Sequence, residues 1–194
     1  MFFCLFVCLF GWLTSPSPLS LSLCRYLPLD EDYCVYAQYT VTAPQRVSVT
    51  NYANKDMVNG QVKGGNLCAV IPDASQPAKL KVGPCFLPSF LYGPYWVVAA
   101  GPTPDNYEWA IISGGQPTHD TGNGCTTGSG VNNSGFWYFS RDPVADPSVI
   151  DMLERIAVSK GFDTSVLNVV QQDGCTYHQD EAPASNFMKM LGAY

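Results

Sequence analysis

Charge is scarce in this chain. Asp, Glu, Lys and Arg make up 13% of 194 residues, about half the ~25% usual for a soluble domain. Basic residues are outnumbered ten to sixteen, for a net charge of −6, and no basic patch is visible, which excludes nucleic acid as a partner. Histidine is limited to His119 and His178, and no two cysteines form a C-x-x-C pair. A structural zinc site or a thioredoxin-like motif therefore has little support, and no other metal or cofactor is implied. No apolar run reaches the ~18 residues of a membrane span. Gly-x-Ser-x-Gly, the glycine fingerprints for phosphates and dinucleotides, and H-E-x-x-H are absent as well, which removes the commonest hydrolase, nucleotide and metalloprotease signatures.

What the chain does have is apolar and aromatic surface, 46% and 13% of its residues. That is ample for the core of one domain and excludes wholesale disorder. It also has eight cysteines, which points to disulfides and an oxidising compartment, either secreted or an organelle lumen. Residues 1–13 (MFFCLFVCLFGWL) form a solid apolar run. It is too short to span a bilayer and fits the core of a secretory signal, or else a buried or mis-joined N-terminus. Residues 14–18 (TSPSP) read as a linker. The expected organisation is thus a signal-like segment and linker over 1–18, a folded unit over 19–176 and a tail over 177–194.

Period-2 alternation recurs along the folded unit. It predicts eight strands, at 19–27, 34–42, 46–52, 61–71, 78–82, 95–100, 107–113 and 135–140. Most are joined by short turns with no intervening helix, so an antiparallel up-and-down barrel or a sandwich follows. The period then changes. Asp146 and Pro147 suit an N-cap and first helical position, and Val149, Ile150, Leu153, Ile156 and Ala157 make one apolar stripe ending near Gly161. Residues 166–172 suit a short ninth strand. Two connections stand out: 113–135, long and dominated by Gly and Asn, is expected to be mobile, whereas 83–94 is rich in Phe, Leu and Tyr that need cover.

Chemistry-bearing residues are few. His119 and His178 have no neighbours suggesting an oriented base. Glu108 is the one acid inside a predicted strand, so a paired-carboxylate mechanism lacks its second member. A thiol at Cys68 or Cys85 is the remaining candidate, against the reading that these two pair or are inert. Binding is better supplied. Tyr39, Tyr95, Trp96, Trp109, Phe136, Trp137 and Phe139 all lie on predicted strands, and eight strands enclose room for core side chains or one small ligand.

Four stretches in this order resemble the lipocalin family, in particular its apolipoprotein D and bacterial-lipocalin branch: 34–40 (CVYAQYT); 77–82 (PAKLKV) followed by 94–98 (PYWVV); 137–143 (WYFSRDP); and 161–167 (GFDTSVL) with 169–172. The resemblance spans roughly residues 26–176. It implies an all-β fold, an eight-stranded calyx closed at one end with one C-terminal helix packed outside. It also implies a carrier of small hydrophobic molecules such as sterols, retinoids, carotenoids or fatty acids. Inward, ligand-facing positions would be Ala37, Tyr39, Val49, Asn51, Leu80, Val82, Tyr95, Val97, Trp137 and Phe139. Disulfides would join Cys34 to Cys175 and, less securely, Cys24 to Cys125. One departure is large. The Gly-x-Trp that opens the family's first strand, whose tryptophan packs under the arginine matched by Arg141, is missing. Either residues 19–27 supply a substitute first strand, or the N-terminal segment comes from an altered transcript.

By the same resemblance both unusual connections sit at the open mouth, with Phe86, Leu87, Phe90, Leu91 and Tyr92 as an apolar lip that covers the ligand or touches a membrane transiently. Tyr39, Asn51 and Tyr95 would be polar anchors. No Lys or Arg falls in the inward set, which favours neutral lipids over fatty-acid anions. Two other classes stay open: an enzyme on the same barrel acting on a lipid or carotenoid through a cavity thiol or carboxylate, and an interaction protein with a fully packed barrel. Asn132-Asn133-Ser134 is an N-x-S sequon, so Asn132 is a glycosylation candidate in a secreted chain.

Overall fold

The alternation resolves into strands in a computed structural model that describes residues 19–25, 32–103, 106–130 and 132–177, with the side chains of 19–25 and 106 outside that description. The signal-like run, Cys4, Cys8, His178 and the tail beyond residue 177 also lie outside the described residues. The main strands are β1 (Leu19–Arg25), β2 (Asp32–Ala43), β3 (Arg46–Lys55), β4 (Gln61–Val70), β5 (Lys79–Pro84), β6 (Gly93–Thr103), β7 (Asn106–Ser113) and β10 (Phe136–Ser140). Two short strands, β8 (His119–Asp120) and β9 (Cys125–Thr126), pair with each other between β7 and β10. Each main strand pairs antiparallel with its sequence neighbour, and β10 pairs again with β1, from Ser20 opposite Ser140 to Arg25 opposite Phe136. The sheet closes into an eight-stranded up-and-down barrel. Residues 19–25 occupy the first-strand place without the Gly-x-Trp motif, so neither β2 nor β10 is left as a bare edge.

Inward positions of alternate strands fill part of the barrel with one apolar cluster that includes Val47, Ala69, Ile71, Leu80, Ala110 and Ile112. A second cluster lies outside the wall, under helix α1 (Pro147–Ser159). Asp146 caps that helix by accepting from the Ser148 N–H at 2.8 Å. Leu153 and Ala157 from the predicted stripe are completely buried against Ile111, Phe136, Tyr138 and Phe162. Trp109 and Phe136 belong to this outer layer, and Trp96 lies beneath the Lys79 ammonium, 4.7 Å from its ring centroid. None of these three is an interior aromatic. The ninth strand is short, β11 (Asn168–Val169), paired with β1.

Strand β2 carries the irregularity that shapes the rest. Its register with β3 shifts between Tyr33 and Tyr36, and Cys34 there has φ +56°, a bulge in the left-handed region. The segment after β11 covers this bulge. The Cys34 N–H donates to the Gln171 carbonyl at 2.9 Å, and the Gln172 amide donates to the Val35 carbonyl at 2.7 Å. Cys34 and Cys175 form a disulfide with Cα atoms 5.5 Å apart. Tyr36 and Tyr52 stack at 4.9 Å, and Tyr177 packs edge-on against both.

Within the connection over 113–135, the described residues make regular contacts with one another and with the chain beyond. Besides the β8–β9 hairpin, the Cys125 N–H donates to the Gly161 carbonyl at 2.8 Å and the Asp163 N–H donates back to the Cys125 carbonyl at 3.1 Å. The buried Asp163 carboxylate accepts from Thr121 Oγ1 at 2.5 Å. Turn residues thus dominate because the segment makes tight turns within a folded unit.

A disulfide stabilises chiefly by restricting the unfolded chain. Its effect should be larger for the 141-residue separation of Cys34–Cys175 than for the 17-residue separation of Cys68–Cys85, about 5 against about 3 kcal/mol at most. Denaturant unfolding of C34S/C175S and C68S/C85S should rank them in that order. Leu153→Ala, which opens a cavity under the helix, should cost about 2–5 kcal/mol by the same measurement.

Candidate functional site

The clustered side chains do not fill the barrel. A cavity of about 320 Å³ is lined from β2, β3, β4, β5, β6 and β10, with the 83–94 and 132–134 segments at its rim. Ala37 and Tyr39 of β2, Val49 and Asn51 of β3, Val82 of β5, Tyr95 of β6, and Trp137 and Phe139 of β10 all line it. Residues two apart on a strand share a face, and this brings the set together. Leu80 and Val97 point inward with the same apolar cluster but are not among the residues that border the cavity.

Aromatic rings make one wall. Tyr95 stacks on Trp137 at 6.0 Å, and the Tyr39 and Tyr95 hydroxyls share a hydrogen bond of 2.5 Å. Trp137 lies flat over Gly135, whose φ of +99° and lack of a side chain permit it. A Cβ there would stand 2.1 Å from the indole. Burial pushes the Tyr39 phenol well above the ordinary value of 10.0, against the lowering effects of the Tyr95 hydrogen bond and the Arg141 charge. Burial also raises Tyr95, and its contact with Tyr39 adds to the shift. Both are neutral donors and acceptors at physiological pH. Arg141 is half-buried and donates from Nε to the Tyr107 carbonyl at 2.9 Å. Desolvation lowers its pKa, and the neighbouring Tyr39 works in the opposite direction.

An ion pair also faces the cavity. Lys63 Nζ contacts the Asp32 carboxylate, whose side chain is wholly buried, while that of Lys63 is 26% exposed. This corrects the expectation that no Lys or Arg faces inward. Lys63 shares parity with Leu67 and Ala69 on β4, so alternation alone carried the signal. Asp32 has the opposite parity from Val35, Ala37 and Tyr39, and the bulge at Cys34 turns it inward.

The expected lip divides. Leu87 and Leu91 line the cavity. Phe86 is 70% exposed, and Phe90, at 76%, sits in a separate outer groove beside Arg46, Val70 and Lys81. Tyr92 is buried, with its ring over Gly83, and forms no part of an exposed lip. Phe90 and Leu91 part within the 3-10 turn Ser89–Leu91, in which successive side chains point in different directions. Cys68 and Cys85 are disulfide-bonded, with Cα atoms 4.9 Å apart, so they offer no cavity thiol and that version of the enzyme reading is overturned. Cys125 is a free, half-buried thiol rather than one end of a bridge to Cys24, whose side chain is outside the described residues. His119 and Glu108 are exposed. Asn132 is exposed at the rim, its Oδ1 against Gly93, where a Cβ would come within 2.5 Å of it. Among the described residues no cluster of His, Cys, Asp and Glu could hold a metal ion, and no helix is long and apolar enough to cross a membrane.

Solved structures share this architecture at low sequence identity. H1 crustacyanin from the lobster Homarus americanus superposes with a TM-score of 0.58 at 14% identity, over 86% of this chain and 82% of that one. The allergen Per a 4 from cockroaches gives 0.54 at 11%, over 85% and 88%. The siderocalin Ex-FABP, described as functioning through dual ligand specificities, gives 0.52 at 10%, over 84% and 93%. No family model matches the sequence, and no curated protein matches it. The likeness shows the lipocalin fold.

Folding raises both cavity phenols, so their stabilisation is complete below the ordinary tyrosine value of 10.0 and is lost as pH climbs beyond it. Between about pH 9 and pH 11 the wild type should lose more unfolding free energy than Y39F/Y95F. Equal slopes in denaturant titrations would show that the phenols are not desolvated on folding.

Proposed function

We propose that the chain carries a small hydrophobic ligand in the barrel cavity, with no chemistry on it. One observation carries this reading: a closed barrel retains a cavity of about 320 Å³ walled by Tyr39, Tyr95, Trp137 and Phe139. Apolar surface that leaves water there contributes ~25 cal/mol per Å². A ligand of about twenty heavy atoms at ~0.3 kcal/mol per atom would bind with roughly −6 kcal/mol, or tens of micromolar. Tyr39, Asn51 and Tyr95 are its polar anchors. The solved structures with this fold include a siderocalin described by its ligand specificities, which agrees with a binding role. The residue patterns at 34–40 and 137–143 favour an apolipoprotein D-like member. The two disulfides suit secretion or an organelle lumen, and a glycan on Asn132 would then stand at the rim.

The exposed Phe86, and Phe90 beside Arg46 and Lys81, are the surface for a transient contact with an anionic membrane during transfer, while Leu87 and Leu91 cover the ligand. Titration with a panel of apolar ligands should quench tryptophan fluorescence saturably, and Trp137→Ala should weaken binding by about 1–3 kcal/mol. A linear, unsaturable response to every ligand would reject the carrier reading. F86S/F90S should weaken binding to phosphatidylglycerol vesicles about tenfold or more without changing ligand affinity, and L87S/L91S should do the reverse.

A further inference from the structure

Among the described residues that line the cavity, two carry charge, Asp32 and Lys63, and they are paired. They bracket β3: Lys63 stands opposite Ala53 in the β3–β4 register, and Asp32 opposite Lys55 in the β2–β3 register. The Asp32 side chain is wholly buried and that of Lys63 is three-quarters buried, so bulk water does little to screen them. Resting on the carrier reading above, we propose that this pair selects the ligand's head group: the cavity takes an amphiphile with an uncharged hydroxyl head and discriminates against carboxylate and ammonium heads on the same apolar tail.

The argument is one of charge balance. The pair contributes no net charge, so an entering carboxylate is attracted by Lys63 and repelled by Asp32 at nearly the same distance. It must still give up its hydration, which is costly in an apolar site. An ammonium meets the mirror situation. A hydroxyl loses far less hydration and suits both partners, since it donates to the carboxylate and accepts from the ammonium. Charge-assisted hydrogen bonds of this kind are the stronger ones. The apolar tail then has the remaining wall, from Val49 and Leu67 to the Tyr95–Trp137 stack.

Removing one charge should therefore rewrite the preference without altering the tail site. The test measures tryptophan-fluorescence binding of three probes with one chain length, decan-1-ol, decanoate and decylammonium, at neutral pH. The wild type should bind decan-1-ol about tenfold or more tightly than either ion. Asp32→Asn leaves Lys63 without its counter-charge, and decanoate should become the preferred probe. The double variant D32N/K63Q restores neutrality and should return decan-1-ol to first place, and circular dichroism of both variants confirms that the barrel is intact. A decanol-to-decanoate affinity ratio unchanged by D32N, or a wild type that prefers decanoate, overturns the proposal while leaving the carrier reading in place. Saturable binding of none of the three probes, nor of the wider apolar panel, overturns both. If D32N fails to fold, the wild-type ranking and that of D32N/K63Q still decide the matter.

Discussion

The β-bulge at Cys34 is the constraint on which the site depends. A bulge leaves backbone groups without ladder partners, and in a buried strand these must be satisfied elsewhere. Here the residues after β11 do so. Gln171 accepts from Cys34 and Gln172 donates to Val35, and the Cys34–Cys175 disulfide holds the two segments together. Farther along, the Thr176 N–H donates to Asn59 Oδ1 at 2.7 Å, and Asn59 donates to the Gly174 carbonyl at 3.0 Å. A segment distant in sequence thus locks a single-residue irregularity. Tyr36, Tyr52 and Tyr177 form a buried aromatic group there, of which Tyr36 and Tyr52 also border the cavity, and Asp32 reaches the cavity and meets Lys63.

The barrel interior is divided between packing and cavity. Val47, Ala69, Ile71, Leu80 and Ile112 pack in one cluster away from the cavity, and Tyr39 of the same cluster, with Val82, Tyr95 and Trp137 packed against it, borders open volume. Large, flat side chains that stack on one another and on Gly135 cover a wall without filling the space in front of it. The helix plays no part in that wall. Its apolar stripe is used up on the outer face of β7 and β10, against Ile111 and Tyr138. The Tyr39–Tyr95 hydroxyl pair brings polarity into the depth of the barrel without introducing charge, and the Asp32–Lys63 pair brings charge whose sum is zero. Both arrangements keep an apolar cavity tolerable to its polar residues, because each polar group has a partner in the protein.

Much of this was legible in sequence where one residue's neighbours along the chain decide its role. Period-2 alternation located the strands, the family resemblance supplied eight of the lining residues, with alternation placing Trp137 and Phe139 on one face, and the Asp146-Pro147 start with its apolar stripe located the helix. Alternation fails wherever the phase is reset. Asp32 was not legible, since the bulge that turns it inward is recorded in φ at Cys34 and in hydrogen bonds to residues 171 and 172. Leu80 and Val97 have inward parity yet do not border the cavity, and parity does not say which inward side chains face open volume. Glycine and asparagine in 113–135 read as mobility, and nothing local announces the hydrogen bonds of Cys125 and Thr121 to Gly161 and Asp163, well beyond the segment.

By itself, the sequence determined an antiparallel all-β unit with one amphipathic helix, because strand period, helix period and turn chemistry are local properties that survive without knowledge of partners; the choice of barrel over sandwich came from the family resemblance. Only the tertiary structure decided that residues 19–25 close the barrel between β2 and β10, that Tyr92 turns in over Gly83 while Phe90 turns out, and that a buried ion pair faces the cavity. Each of these depends on which atoms from distant segments come within a few ångströms of one another, and that proximity is set by closure and packing rather than by any pattern written along the chain.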